Sequence, residues 1–169
     1  MDKTITTTLL IVISTITAVL LFNVVYPAVI ESGDAMRSIS SRMSDRMRSE
    51  VEIIHMAGEL DSDGFWQDVN SDGDFDIFIW VKNVGSTRIM PVEGSDIFFG
   101  PEGNFTRIPH QSSATGFPYW SAEIENADQW QPGATVKITI HYNSAQSAGR
   151  YYFKLTTVNG VTDELIFSM

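Results

Sequence analysis

An uncharged run of 27 residues near the N-terminus, residues 4–30, constrains this chain more than any other feature. As an α-helix the run would measure about 40 Å, because each residue adds about 1.5 Å. The hydrocarbon core of a bilayer is about 30 Å thick, so such a helix can cross it with some tilt. The sequence therefore predicts a single-pass membrane protein whose remaining residues lie on one side of the membrane.

A cleaved signal peptide is the main alternative for an N-terminal apolar run. Signal peptides have a shorter apolar core and end at a cleavage site of small residues. The run here is too long, and Ser32, Gly33 and Ala35 form only a weak cluster of small residues. We therefore expect a retained anchor, in which Thr and Ser hydroxyls bond to carbonyl groups one helical turn earlier.

Charge is distributed unevenly along the chain. Residues 1–50 carry five basic and five acidic groups, whereas residues 51–169 carry six basic and sixteen acidic groups, so the net charge of −10 belongs to the second part. An acidic surface excludes nucleic-acid binding, which needs a basic footprint. It suits a salty exterior, a basic partner or a divalent cation. The chain has no cysteine, which excludes disulfides and thiolate metal sites.

Residues 31–50 predict a helical neck after the anchor. Four apolar side chains recur at spacings of three and four residues, which places them on one helix face: Met36, Ile39, Met43 and Met47. This narrow stripe is closer to a coiled-coil seam than to a core-facing surface. It would pack either on its own β domain or on copies of itself or a partner, and the sequence favours neither. Ser32-Gly33 is a candidate hinge before the neck.

Residues 51–169 predict an all-β domain. The run 136–142 alternates apolar and polar side chains, and the run 75–82 is apolar on both faces, as in a central strand. Asn159-Gly160 predicts a hairpin turn. Seven to nine short strands between regular turn signals predict an immunoglobulin-like antiparallel β-sandwich. The expected organisation is thus a transmembrane α-helix at 1–30, a neck at 31–50 and a β-sandwich at 51–169.

An acidic segment, residues 61–76, carries the strongest local signal for chemistry. Oxygen-bearing side chains occupy alternate positions, as in a calcium loop: Asp68, Asn70, Asp72, Asp74 and Asp76. An EF-hand needs a bidentate Glu at its twelfth position, where this chain has Ile79, so a true EF-hand is excluded. A shorter calcium loop with Asp61 or Asp63 as a further ligand, and a plain acidic hairpin, both remain open. Bound Ca²⁺ would stiffen an extracellular module.

The remaining signals are less specific. Asn104-Phe105-Thr106 is an N-glycosylation sequon, which is meaningful only in an exterior domain. Trp120 and Trp130 lie in a polar segment and are candidates for an exposed binding face. Three histidines lie far apart in the sequence and are expected to be structural or exposed: His55, His110 and His141. The chain has no G-x-S-x-G motif, P-loop or catalytic cysteine, so we expect no catalytic residues, no enzyme activity and no cofactor apart from the candidate Ca²⁺.

Several segments are specific enough to suggest a family. They are the anchor ending NVVYPAV, the neck, and the stretches GFWQDVNSDGDFDIFIWVKNVGS, SDIFFGPEGNFTRIPH, WQPGATVKITIHY and ELIFSM. Together they resemble the archaeal flagellar (archaellum) protein G family. The resemblance implies a membrane-anchored, pilin-like accessory protein with its β-sandwich outside the membrane. It also implies a stator role linking the rotary motor to the surface-layer protein, with the related archaellum protein F as partner.

Two features of the N-terminal region bear on this resemblance. Lys3 precedes the anchor and four arginines follow it, which by the usual rule places the β domain in the cytoplasm. We expect an extracellular domain instead, because the resemblance, the calcium-type loop and the sequon all fit the exterior. The leader Met-Asp-Lys-Thr lacks the basic pair and glycine at which filament-forming archaellins are cleaved. The expected function is a stator component that self-assembles through its N-terminal helix, and the alternative is a pilin- or archaellin-like filament subunit.

Overall fold

The structure, a computed structural model, describes residues 2–169. One long helix, α1 (Asp2–Arg48), is followed by a series of β-strands. The chain forms two compact units, one ending at Met43 and one comprising Ser44–Met169. The last turn of α1 therefore belongs to the unit that contains the strands.

α1 is a single helix of 47 residues that includes both the predicted anchor and the predicted neck. It continues through Ser32-Gly33 without a break, so the predicted hinge is not present in the described helix. Pro27 lies inside the helix, where its ring nitrogen has no proton to donate to the preceding turn. Five hydroxyls bond to carbonyls three or four residues earlier, as expected: Thr7, Thr8, Ser14, Thr15 and Thr17. The helix is long and apolar enough to cross a membrane.

Eight strands form two antiparallel sheets, which confirms the predicted sandwich. The strands are β1 (Val51–Gly58), β2 (Phe75–Asn83), β3 (Asp96–Pro101), β4 (Thr106–Ile108), β5 (Tyr119–Glu125), β6 (Thr135–Tyr142), β7 (Arg150–Thr156) and β8 (Thr162–Ser168). The first sheet has the order β1-β2-β6-β5 and the second sheet has the order β4-β3-β7-β8. These correspond to the ABED and C′CFG sheets of an immunoglobulin sandwich.

Alternate side chains of the central strands fill the space between the sheets. β2 is central, as predicted, and its core-facing residues are fully buried: Phe75, Ile77, Ile79 and Val81. The facing side chains of the second sheet are equally buried: Ile97, Phe99, Phe153 and Leu155. The other face of β2 carries Asp76, Phe78 and Trp80. Asp76 is also the last residue of the acidic segment, so the segment ends on this outer face of the first sheet.

Tyr151 forms the tyrosine corner that is typical of immunoglobulin sandwiches. It lies at the start of β7, and its hydroxyl donates a 2.8 Å hydrogen bond to the carbonyl oxygen of Ser147. Its ring stacks on Phe99 with centroids 5.4 Å apart. Burial raises the pKa of the Tyr151 hydroxyl, which keeps it protonated as a donor.

The prediction that Trp120 and Trp130 form an exposed binding face is wrong. Their side chains are only 1% and 0% exposed. Trp120 points into the core because successive residues of β5 face opposite sides of the sheet, whatever the polarity of their sequence neighbours. Trp130 lies in the β5–β6 connection, where its carbonyl oxygen accepts hydrogen bonds from Ile89 and from the Asn83 amide. Both tryptophans therefore stabilise the sandwich.

The chain segment after α1 is fixed to two loops of the same unit. Ser49 is buried, and its hydroxyl lies 2.8 Å from the Thr87 hydroxyl and accepts a 2.8 Å hydrogen bond from the Asn159 amide. The carbonyl oxygen of Glu50 accepts a hydrogen bond from Gly85 N–H. Only Ser49 and Glu50 separate α1 from β1.

Candidate functional site

The acidic segment connects β1 to β2, and the buried carboxylate of Glu59 organises it. Glu59 is 2% exposed. Its Oε2 accepts hydrogen bonds from Trp66 Nε1 at 3.1 Å and from Asp76 N–H at 3.0 Å, and its Oε1 accepts one from Val69 N–H at 3.0 Å. Sequence reasoning missed Glu59, because nothing in the sequence distinguishes it from the acidic residues around it.

Asp68, the first predicted calcium ligand, shapes the turn of this loop. Its two carboxylate oxygens accept hydrogen bonds from the backbone N–H groups of Ser71, at 2.6 Å, and Gly73, at 3.1 Å. Gly73 and Ser71 both have positive φ, so the turn needs this local support. Each Asp68 oxygen thus accepts one backbone hydrogen bond, which orients the carboxylate, and a calcium-binding role for Asp68 remains a prediction.

Asn70 lies between two of the other predicted ligands. Its Nδ2 donates to Asp72 Oδ2 at 2.8 Å and to Asp76 Oδ2 at 2.9 Å. The second oxygen of Asp72 accepts a hydrogen bond from Asp74 N–H at 2.9 Å. The amide thereby holds Asp72 and Asp76 in fixed orientations, with the positive end of its dipole between two negative groups.

His141 joins this cluster from a different element. Potential ligand atoms of Asp72, Asp74 and His141 all lie within 4.8 Å of one another. His141 is in β6, directly opposite Asp76 of β2 in the strand register. Sequence reasoning missed His141 as a neighbour of the loop, because the pairing of β2 with β6 cannot be read from spacing along the chain.

Both nitrogens of His141 have close neighbours. Nε2 lies 2.9 Å from the hydroxyl of Ser121 in β5, within hydrogen-bonding distance. Nδ1 lies 2.7 Å from Asp76 Oδ1, the separation of an ion pair. Both atoms are buried and have no further partner among the described residues, so the imidazole and the carboxylate pair with each other.

The electrostatic potential at this surface is strongly negative. Burial of the imidazole acts to lower the pKa of His141, but the hydrogen bond to Asp76 and the charges of Asp76, Asp72 and Asp74 together raise the pKa above its ordinary value. Tyr119 stacks on His141 at 4.7 Å, and its pKa is raised by burial and then by the same three carboxylates. The cluster therefore favours a positive charge.

Ser121, His141 and Asp76 are connected in the order of a Ser-His-Asp triad. A working triad also needs an aspartate hydrogen-bonded to the histidine and N–H donors for the oxyanion. Ser121 lies in the middle of β5, where it is paired with Thr139, and not at a turn or helix N-terminus that could provide such N–H donors. This arrangement orients the imidazole and gives no support for nucleophilic catalysis.

Two other groups of predicted site residues lie on exposed surface. Asn104 is exposed in the turn between β3 and β4, with Thr106 at the start of β4. The four residues of the neck seam are between 61% and 74% exposed: Met36, Ile39, Met43 and Met47. Glycosylation at Asn104 and assembly through the seam remain predictions.

Comparison with known proteins identifies a family, an uncharacterized relative and several similar solved structures. Residues 4–167 match the family described as archaeal-type flagellin. An uncharacterized protein of Archaeoglobus fulgidus is 27% identical in an alignment of 170 positions that covers 98% of each chain. The archaellum periplasmic stator protein FlaG from Sulfolobus acidocaldarius is 25% identical, with a TM-score of 0.54 over 70% of this chain and 99% of that chain.

Two further solved structures are similar. The stator protein complex FlaF and FlaG from Sulfolobus acidocaldarius matches with 26% identity and a TM-score of 0.52, covering 69% of this chain and 87% of that chain. The archaeal flagellin FlaB1 from Methanocaldococcus jannaschii matches with a TM-score of 0.52 over 72% of this chain and 90% of that chain. Its identity is only 12%, so it shows the shared fold alone.

Proposed function

This chain belongs to the archaeal-type flagellin family, and on that premise we propose that it is a membrane-anchored stator component of the archaellum. The predicted resemblance to the protein G family is confirmed by the FlaG relatives, which have the same sandwich. The similarity to FlaG over 99% of that chain is the observation that carries the stator proposal. The relatives are structural proteins, which supports a role without catalysis.

The physical requirements of a stator support this role. Torque on a rotor needs a fixed reaction point, and a helix held only by lipid slides laterally in the bilayer. In the proposed arrangement α1 anchors the chain, and the acidic sandwich outside the membrane grips the surface-layer protein.

Archaellum protein F is the proposed partner of the sandwich. The solved complex of FlaF and FlaG from Sulfolobus acidocaldarius supports this partnership, because the matched chain of that complex is 26% identical to this chain. The test is a pull-down with the full chain in detergent against purified protein F and purified surface-layer protein. An unrelated single-span membrane protein serves as control bait. We expect both to be retained; retention of neither would contradict the stator proposal.

A filament subunit is the second candidate. The family match and the exposed neck seam favour it, because an apolar helix surface can support polymerisation. Electron microscopy of the purified chain distinguishes a filament subunit from a stator component. Long filaments that depend on α1 would support a filament subunit, whereas discrete particles would support a stator component.

A further inference from the structure

The sandwich is open along one side, where the edge strand of the first sheet, β1, lies beside the edge strand of the second sheet, β8. One end of this β1–β8 cleft is closed, because Ile53 N–H donates a 2.8 Å hydrogen bond to Asp163 Oδ2. Beyond it, Leu165 faces the inside of the sandwich opposite Phe153, yet Leu165 is 37% exposed whereas Phe153 is 0% exposed. The cleft therefore leaves apolar surface of the interior uncovered.

A cavity of about 250 Å³ lies at the open end of the cleft. Its lining is partly apolar, since Met56 of β1 and Phe167 of β8 both pack against the core. The Met169 thioether lies directly over Gly58, in the space that a Cβ atom would need there. The cavity is smaller than the roughly 300–1,000 Å³ of small-molecule sites, so it suits one or two side chains of a polypeptide better than a separate ligand.

The backbone of β1 beside the cavity has hydrogen-bonding groups that its own sheet does not use. Glu59 N–H donates to the carbonyl oxygen of Asp76 in β2, so the backbone of Glu59 faces β2. Because this direction alternates along an antiparallel strand, the N–H and C=O groups of Met56 and Gly58 face away from β2. No hydrogen bond between described residues uses these groups. Such an edge can pair with an additional strand.

Other edges of the two sheets are covered or short. At the start of β5, Trp120 N–H donates to the carbonyl oxygen of Pro109, and the carbonyl oxygen of Trp120 accepts a hydrogen bond from Gln111 N–H. β4, at the edge of the second sheet, has only three residues. A β-bulge interrupts β1 itself before residue 56. Residues 56–58 thus combine a free sheet edge with an adjacent apolar cavity.

The charge around the cavity favours a basic partner. Asp61 lines the cavity, and Asp163 lies at the closed end of the cleft. The nearby Arg150, opposite Ser168 in the register, is paired with Glu102 at 3.2 Å. Residues 51–169 carry six basic and sixteen acidic groups, so a second sandwich of the same kind would be repelled.

We propose that the β1–β8 cleft binds an extended segment of a partner protein, which pairs with residues 56–58 as an additional strand. Apolar side chains of this segment enter the cavity and alternate with basic side chains that face the acidic rim, because successive side chains of a strand point to opposite sides. Main-chain hydrogen bonds supply the affinity of such pairing, and the alternate side chains supply its specificity. The proposal goes beyond the stator role and does not depend on it.

The test is fluorescence anisotropy of a labelled heptapeptide in which valine alternates with lysine, titrated with the full chain in detergent. We expect saturable binding, together with slower hydrogen exchange of the Met56 and Gly58 amides. Ser62→Lys should weaken binding by about tenfold or more, because it adds a positive charge at the cavity. Ser62 is exposed, so this variant should unfold at the same temperature as the unaltered chain. Gln111→Lys, exposed beside β5 at the opposite edge of the first sheet, is the matched control.

Two altered peptides test the pairing and the charge separately. A peptide that is N-methylated at each valine lacks the N–H groups that would pair with β1, and a peptide with glutamate in place of lysine has the opposite charge; neither should bind. Equal binding of the methylated peptide would overturn the strand pairing, and equal binding of the glutamate peptide would overturn the selection of a basic segment. Absence of saturable binding by the valine–lysine peptide would overturn the proposal as a whole. None of these outcomes involves protein F or the surface-layer protein, so the stator proposal is tested separately.

Discussion

Glu59 is the single residue on which the conformation of the acidic loop most depends. Its two oxygens accept three hydrogen bonds, from Trp66, Val69 and Asp76, and all three donors belong to the loop or to the start of β2. A carboxylate is suited to this position because it only accepts hydrogen bonds, whereas an amide would turn a donor toward one of the N–H groups.

Replacement of this carboxylate by an amide should therefore destabilise the domain. We expect Glu59→Gln to lower the free energy of unfolding by about 1–3 kcal/mol, the cost of leaving buried donors without a partner. The measurement is urea unfolding of the full chain in detergent. Glu52→Gln, at an exposed position of β1, is the control and should change little. Equal stability of the two variants would mean that Glu59 does not organise the loop.

Tyr142 provides a pH-dependent prediction at the residue scale. Burial and then the charge of Tyr151 raise the pKa of Tyr142 to about 12. In the unfolded chain the pKa is about 10, so the neutral form is favoured by folding. Its contribution to stability is complete below a pH of about 10 and is lost as the pH rises toward 12. At about 1.4 kcal/mol for each pKa unit, the loss reaches at most about 3 kcal/mol.

Tyr142→Phe should remove the part of the stability loss at alkaline pH that comes from ionisation of this hydroxyl. Urea midpoints of the variant should therefore fall less steeply with pH than those of the unaltered chain. Tyr152 is a suitable comparison, because a hydrogen bond to Glu164 and then burial raise its pKa to about 12. Tyr152 lies on the outer side of β7, so solvent screens its interactions and Tyr152→Phe should alter the pH profile less. Equal slopes for Tyr142→Phe and the unaltered chain would contradict the prediction.

At the scale of elements, the junction between α1 and β1 depends on the absence of a side chain at Gly85. A Cβ atom there would lie 2.5 Å from Glu50 N and 2.7 Å from Arg48 O. Both are backbone atoms, which cannot move aside as a flexible side chain does. We expect Gly85→Ala to cost about 1–3 kcal/mol, as overpacking does elsewhere.

Thermal unfolding and amide hydrogen exchange measure this effect. The exchange of the amides of residues 84–86, which donate hydrogen bonds to the carbonyl oxygens of Glu50 and Arg48, should accelerate in Gly85→Ala. Gly116→Ala is the matched control, because a Cβ atom there meets no other atom within 4 Å. If both variants unfold alike, the junction is not as tightly packed as its geometry indicates.

The neck is the other element with a testable role. Its seam residues are more than half exposed, so a polar substitution there should not weaken the sandwich. We expect Ile39→Lys and Met43→Lys to reduce self-association of the full chain while leaving the unfolding of the β unit unchanged. Arg42→Ala, between them in sequence but outside the seam, is the control. Sedimentation of the detergent-solubilised proteins measures the change, and unaltered association would exclude the seam as the assembly surface.

At the scale of the whole molecule, the side of the membrane on which the sandwich lies is the most consequential prediction. The chain has no cysteine, so single cysteines can report topology without a background. Ala145→Cys is at an exposed position after β6, and Lys3→Cys is at the other end of the anchor. In intact cells, an impermeant thiol reagent should label Ala145→Cys and not Lys3→Cys. The reverse pattern would show that the flanking arginines determine the orientation after all.

Much of this fold is predictable from the sequence, and the reason is local. An uncharged run long enough to cross a bilayer predicts a helix from its composition alone. In the hydrocarbon region, a single segment satisfies its backbone hydrogen bonds only as a helix. Alternation of apolar side chains likewise specifies strands, and eight strands with one buried face each need a second sheet to cover them. The anchor, the sandwich and the family resemblance all follow from patterns of this kind.

The tertiary structure alone decides which residues meet. The register of β2 with β6 brings His141 opposite Asp76, and a slip of one residue would turn His141 to the other face. Alternation within β5 buries Trp120 despite its polar neighbours, and folding of the loop turns Asp68 to the backbone and Glu59 into the interior. Periodic patterns depend on residues that are close together in the sequence. The meeting of His141 with Asp76 depends instead on the pairing of β2 with β6, which are far apart in the sequence. The uncharged run by itself determined that the chain begins with a helix long and apolar enough to cross a membrane, and only the packing of the sandwich decided which residues of the acidic loop and of β6 lie together.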